Sequence, residues 1–129
     1  MGDNMASEFR MQVSRASFPL VIDGEDEEGN PKELFNKRYS IDVGNKEKLK
    51  AFFASCKDIE EQAKNIGDND EAFDRLEGLA RGVIQSTLGD WDAIWEASGH
   101  NIFAMVGLTA ELARVIKEDA SASFKRYGL

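Results

Sequence analysis

Arg38-Tyr39-Ser40-Ile41-Asp42-Val43-Gly44-Asn45-Lys46-Glu47-Lys48-Leu49-Lys50-Ala51-Phe52-Phe53-Ala54-Ser55-Cys56-Lys57-Asp58-Ile59 changes its hydrophobic period in the middle. Tyr39, Ile41 and Val43 alternate with Arg38, Ser40 and Asp42, the period of two that marks a half-buried strand. After Gly44-Asn45 the apolar positions become Leu49, Phe52, Phe53, Cys56, Ile59, Ala63 and Ile66, at spacings that place them on one face of an α-helix. Lys48, Lys50, Lys57, Glu61 and Lys64 read as the solvated face, and Asn45 as the N-cap. A strand that feeds a long amphipathic helix through a two-residue break points to an α+β chain.

Upstream, Phe9, Met11 and Val13 alternate with polar residues, and Phe18, Leu20 and Ile22 repeat the pattern after Ala16-Ser17. Pro19 assigns this second run to a sheet edge, because proline has no N–H for the ladder. Asp23 to Pro31 is turn chemistry. The first third is therefore expected to be an antiparallel β-hairpin or a three-stranded meander.

Downstream, Gly67 to Asp70 stops the first helix, and Asp68 with Glu71 has the form of a capping box. Phe73, Leu76, Leu79, Ala80, Val83, Ile84 and Leu88 predict a second helix. Gly78 and Gly82 share one of its faces, either admitting another helix closely or simply tolerated. Gly89-Asp90 opens a short connecting helix, Trp91 to Ala97, broken by Ser98-Gly99-His100. Asn101 then caps a third main helix through Ile102, Met105, Leu108, Leu112, Val115 and Ile116, whose pattern fades after Lys117 toward a basic end at Lys125-Arg126. Residues 1–7 read as a flexible N-terminus or leader. Residues 8–127 read as one α+β domain, with the hairpin or meander at 8–44 and the helical part at 45–127.

Composition limits the function. With 129 residues, 42% apolar, eight Phe and two Trp, the chain can build one hydrophobic core. No apolar run approaches the length of a membrane span, and no secretory signal opens the chain. One cysteine, Cys56, excludes an internal disulfide and reads as a small buried hydrophobe, in keeping with the cytoplasm. The net charge is −8, with one acidic cluster at Asp23 to Glu28 and another from Asp58 to Glu77. Binding to phosphate backbones needs the opposite sign, so direct nucleic-acid contact is not expected.

The chain shows little sign of catalytic chemistry. His100 has no second histidine or cysteine beside it, as a zinc site would require. In an EF-hand register Gly29 takes position six and puts Gly24 where an acid is needed. Asp68 with Asp70, and Asp90 with Asp92, stand at helix starts, where carboxylates favour the dipole. No phosphate loop, dinucleotide fingerprint or nucleophile elbow occurs. The expectation is a non-enzyme with no catalytic, metal or cofactor residues and no cofactor. What remains is an apolar and aromatic surplus at Trp91, Ile94, Trp95, Ile102, Phe103 and Met105, which is either core or a partner-binding surface built on aromatic anchors.

Leu88-Gly89-Asp90-Trp91-Asp92-Ala93-Ile94-Trp95, followed by Asn101-Ile102-Phe103, is similar to the glycine-led segment and Asn-led final helix of the small tail assembly chaperones of tailed phages and prophages of Gram-positive bacteria. The order of elements resembles that family over about residues 18 to 118. Trp95 stands where the family pattern has Phe, and the acidic loop from Glu25 to Lys32 is longer. The resemblance implies a protein of the host cytoplasm that coats a tape-measure protein and recruits tail-tube proteins, and that either self-associates as a homo-oligomer or binds extended helices, with no membrane contact. Two other readings stay open: an acidic inhibitor that mimics nucleic acid on a host enzyme, and a minor structural subunit of the virion.

Overall fold

A computed structural model describes residues 7–11, 13, 15–67, 69–126 and 128. Two strands, β1 (Arg15–Glu25) and β2 (Pro31–Asp42), precede four helices: α1 (Lys46–Lys64), α2 (Asp70–Leu88), the short α3 (Trp91–Ala97) and α4 (Ile102–Arg126). This is the α+β architecture expected, in its hairpin form.

The strands pair antiparallel from Arg15↔Asp42 to Glu25↔Pro31. Alternation puts Phe18 opposite Tyr39 and Ile22 opposite Phe35 on the face turned toward the helices, with Phe18, Tyr39 and Ile41 buried. A bulge between Ile22 and Asp23 leaves Leu34 without a partner, and Leu34 lies over Gly24. A Cβ on Gly24 would meet Leu34 Cδ1 at 2.5 Å, so a larger residue here would have to displace the exposed Leu34 side chain. The turn is tighter than the sequence suggested. The Asp26 carboxylate accepts from the Glu28 and Asn30 amides at 2.9 and 2.8 Å, and Gly29 takes the left-handed backbone that closes the loop.

A third strand at Phe9 to Val13 is not formed among the described residues. β2 ends at Asp42 opposite Arg15, so nothing lies across from the chain before it. Phe9, Met11 and Val13 are exposed, whereas Gln12 and Ser14 lie outside the described residues, as does the expected leader apart from Ser7.

The helix caps are mostly local and mostly as expected. Asn45 accepts from the Lys48 amide at 3.0 Å and Asn101 from the Ala104 amide at 3.0 Å. For α2 the cap is Asn69, which accepts from the Glu71 amide at 2.9 Å; the expected cap Asp68 lies outside the described residues. Gly89 ends α2 in the left-handed conformation at φ 72°, where its N–H reaches the Ile84 and Gln85 carbonyls. Gly78 and Gly82 face open space, with nothing within 4 Å of an added Cβ, so they do not serve close helix approach. The final helix continues past Lys117 to Arg126.

α2 runs through the centre of the helical layer, in contact with both α1 and α4, while the hairpin lies against α2, α3 and α4. Leu76, Ala80, Val83 and Ile84 of α2 meet Phe52 and Ile59 of α1 and Met105, Leu112 and Ile116 of α4 in one core. Each fully buried Leu or Ile there contributes about 1.5–3 kcal/mol relative to exposure. No helix among the described residues is long and apolar enough to cross a membrane.

Candidate protein-binding groove

The six aromatic and apolar residues singled out in the sequence separate into core and surface. Trp91, Ile94 and Met105 are 3%, 0% and 2% exposed and belong to the core, which removes them from any docking surface of this fold. Their helices put them on the right side for contact, but the hairpin and α2 already occupy it. Trp95 and Ile102 are partly buried against that core, and Phe103 alone is open, at 70% exposure.

Trp95 lies inside an aromatic stack. Its ring centroid is 4.9 Å from that of Trp91 and 4.8 Å from that of His100, with interplanar angles of 19° and 10°. His100 reaches this position through a left-handed backbone at φ 57°, and its Nε2 lies 2.7 Å from Glu96 Oε1. The stack runs from the interior at Trp91 to solvent at His100, which closes the α3–α4 corner.

Asp90 was expected to cap α3. It occupies the N-cap position but makes no capping bond. Instead its carboxylate accepts from the Tyr39 hydroxyl at 2.6 Å and from Lys37 Nζ at 2.9 Å, tying the hairpin to the helical layer. The hydrogen bonds from Tyr39 and Lys37 hold the Asp90 carboxyl below its usual range, and burial together with Asp90 pushes the Tyr39 phenol up. The free Trp91 amide is satisfied by the Gln85 side-chain oxygen at 3.1 Å. Lys37 was readable as an anomaly, a cation at an inward position of the alternation Phe35, Lys37, Tyr39, Ile41.

A more open apolar concavity lies elsewhere. α1 and α4 enclose an open groove of about 770 Å³ with Phe53, Cys56 and Ala63 on one wall and Val106, Ala110 and Ala113 on the other. Buried Ile59 and Thr109 form its floor, and the Thr109 hydroxyl is spent on the Val106 carbonyl at 2.7 Å. Lys57, Lys64 and Lys117 stand on the rim with Glu60. Lys117 Nζ lies 5.7 Å from the Phe53 ring centroid. Beyond it a shallower depression continues along Ala120 to Phe124. Burial pushes the Cys56 thiol above its ordinary range.

On α4 the groove wall belongs to a longer stripe. Phe103, Val106, Ala110, Ala113, Lys117, Ala120 and Phe124 follow one another at alternating steps of three and four, the spacing of a helix-docking seam. Its length is roughly 30 Å at 1.5 Å per residue. Exposed phenylalanines mark both ends, and small residues leave the middle open. On α1, Lys57 and Lys64 stand seven residues apart along the groove edge. In the sequence these lysines read as a solvated face, and the spacing of both the lysines and the alanines is visible there.

Acidic groups are not gathered into an obvious ligand site. Asp26 holds its turn and Asp90 is committed to Tyr39 and Lys37. Among the described residues there is no cluster of three or more His, Cys, Asp or Glu side chains arranged to hold a metal ion. Comparison of the chain with protein-family models, curated protein sequences and solved structures finds no match.

Proposed function

We propose that this chain is a non-enzymatic assembly chaperone of the tail assembly type, which holds an apolar helical segment of a tape-measure protein and brings tail-tube subunits to it. The observation that supports this reading best is the α1–α4 groove, an apolar trough whose wall continues as a helix-length seam. Helix-in-groove recognition uses this combination of an open apolar floor and anchors at steps of three and four. On this reading the partner surface is the groove rather than the Trp91 region, and Phe103 is the one of the six aromatic and apolar residues that lies on the seam.

The reading implies a long helical reading frame downstream of this one and a slippery heptamer near the 3′ end of this frame. Co-expressed with this chain, the downstream product should stay soluble and co-elute with it. A product that precipitates equally with and without this chain would overturn the proposal. The exposed acidic hairpin end, with Glu25, Glu27 and Glu28 all open to solvent, supports the second reading of a nucleic-acid mimic. Replacing those three with glutamine would abolish capture of a host nucleic-acid enzyme in that case and leave tape-measure binding intact in the first.

A further inference from the structure

We infer that the α1–α4 groove selects an amphipathic helix whose apolar stripe is flanked by carboxylates on the α1 side, with one acid opposite Lys117 setting its register; this rests on the groove being a helix-binding site. The chain is strongly acidic, yet the rim of its main apolar groove carries Lys57, Lys64 and Lys117 against Glu60 alone. On the outer flank of α4, Arg114 lies between Glu111 and Glu118 and is already paired. The free positive charge therefore belongs to α1 and to Lys117. A single cation inside an apolar seam fixes the register of the helix that meets it, at some cost in affinity.

Charge and spacing also exclude occupants from this chain. A second copy related by a two-fold axis that crosses the helices would set α1 on α1 and bring Lys57 and Lys64 of the two grooves face to face. α2 is acidic, but its apolar face is spent in the core, leaving Asp70, Asp74 and Gly78 outward. Of the exposed Phe9, Met11 and Val13, the last two line a depression with Ala120 and Phe124 at the far end of the seam, but none lines the groove itself, and their period of two does not match a seam of period 3.5. A partner helix with acidic flanks meets both requirements.

The test uses the whole chain and three fluorescein-labelled 21-residue helical peptides with one leucine seam, flanked by Glu, Gln or Lys. Anisotropy titrations should rank them Glu, Gln, Lys, with roughly a tenfold loss at each step for the summed rim pairs. The triple variant Lys57→Glu, Lys64→Glu, Lys117→Glu should invert the order, which unfolding cannot do. Because Cys56 is the only cysteine and lines the groove, the Glu peptide should slow its alkylation in the wild-type chain. Equal binding of all three peptides with Cys56 protected would overturn the charge selection and leave the groove as a helix site. Failure of every peptide to bind would overturn both. A wild-type dimer that Ala110→Leu with Ala113→Leu converts to monomer would also refute the inference, since a second copy would then cover the groove.

Discussion

Trp91 and Trp95 stack on each other but should contribute to stability very differently. Trp91 is 3% exposed at the junction of the hairpin, α2 and α3, so Trp91→Ala removes a large ring from a site that cannot collapse around the loss. Such truncations cost about 3–5 kcal/mol, a large share of the 5–15 kcal/mol typical of a domain. Trp95 is only partly buried, and its outer neighbour His100 is in solvent, so Trp95→Ala should cost less, about 2 kcal/mol. A double-mutant cycle should return a coupling of about 0.5–1.5 kcal/mol for the stacked pair. Urea unfolding followed at 222 nm, and by the fluorescence of the one tryptophan left in each single variant, gives all three quantities. If Trp91→Ala cost less than about 1 kcal/mol and weakened partner capture with the helical signal unchanged, Trp91 would be an anchor and its assignment to the core would be wrong.

The tie between hairpin and helices should be pH-dependent. Tyr39→Phe should cost about 1–2 kcal/mol at neutral pH, less than a fully buried charged hydrogen bond because Asp90 keeps Lys37. The Asp90 pKa lies below its unfolded value, so its contribution is present above about pH 4 and disappears as pH falls through the folded value; denaturation midpoints of Asp90→Asn and wild type should converge there. The Tyr39 phenol is shifted upward, so the stability it contributes is full below about pH 10 and is lost as pH rises further, a loss Tyr39→Phe should not show. Gly78→Ala and Gly82→Ala face open space in a helix interior and should each stabilise by up to about 1 kcal/mol in thermal melts, whereas Gly89→Ala at φ 72° should destabilise by a similar amount. Destabilisation by either helical substitution would mean that a neighbour does approach that face.

The legible parts of this fold are those set by short stretches of chain. The change of period at Gly44-Asn45 places the boundary between β2 and α1, and Asn45 and Asn101 are readable as caps because each bonds to an amide three positions on. Alternation predicts which face of a strand is apolar but not what lies opposite, which is why Phe9 to Val13 looks like a strand and has no partner among the described residues. Asp90 was misassigned for a related reason. As an acid before a helix it looks like a cap, and only the fold brings Lys37 and Tyr39 to it from the hairpin. The burial of Trp91, Ile94 and Met105 is equally non-local, since an apolar helix face does not reveal which neighbour covers it. The groove was hardest to read because it depends on small residues where two helices stand apart; Ala110 and Ala113 are ordinary helix formers until Phe53 and Ala63 are placed across from them.

The charge arrangement has different consequences for encounter and for retention. At distances beyond the Debye length, about 8 Å at physiological salt, an approaching acidic helix experiences the summed field of a chain with net charge −8, which repels it. Inside that distance the relevant charges are Lys57, Lys64 and Lys117, and attraction takes over only after the apolar stripes are already close. Added salt screens both effects. The association rate of the Glu-flanked peptide should therefore stay level or rise between 20 and 200 mM salt, while its dissociation rate increases. A binder steered by its overall charge behaves the other way, losing association rate first. Stopped-flow measurement at the two salt concentrations separates these cases. A steep fall in association rate would mean that a basic surface extending well beyond the groove rim governs capture.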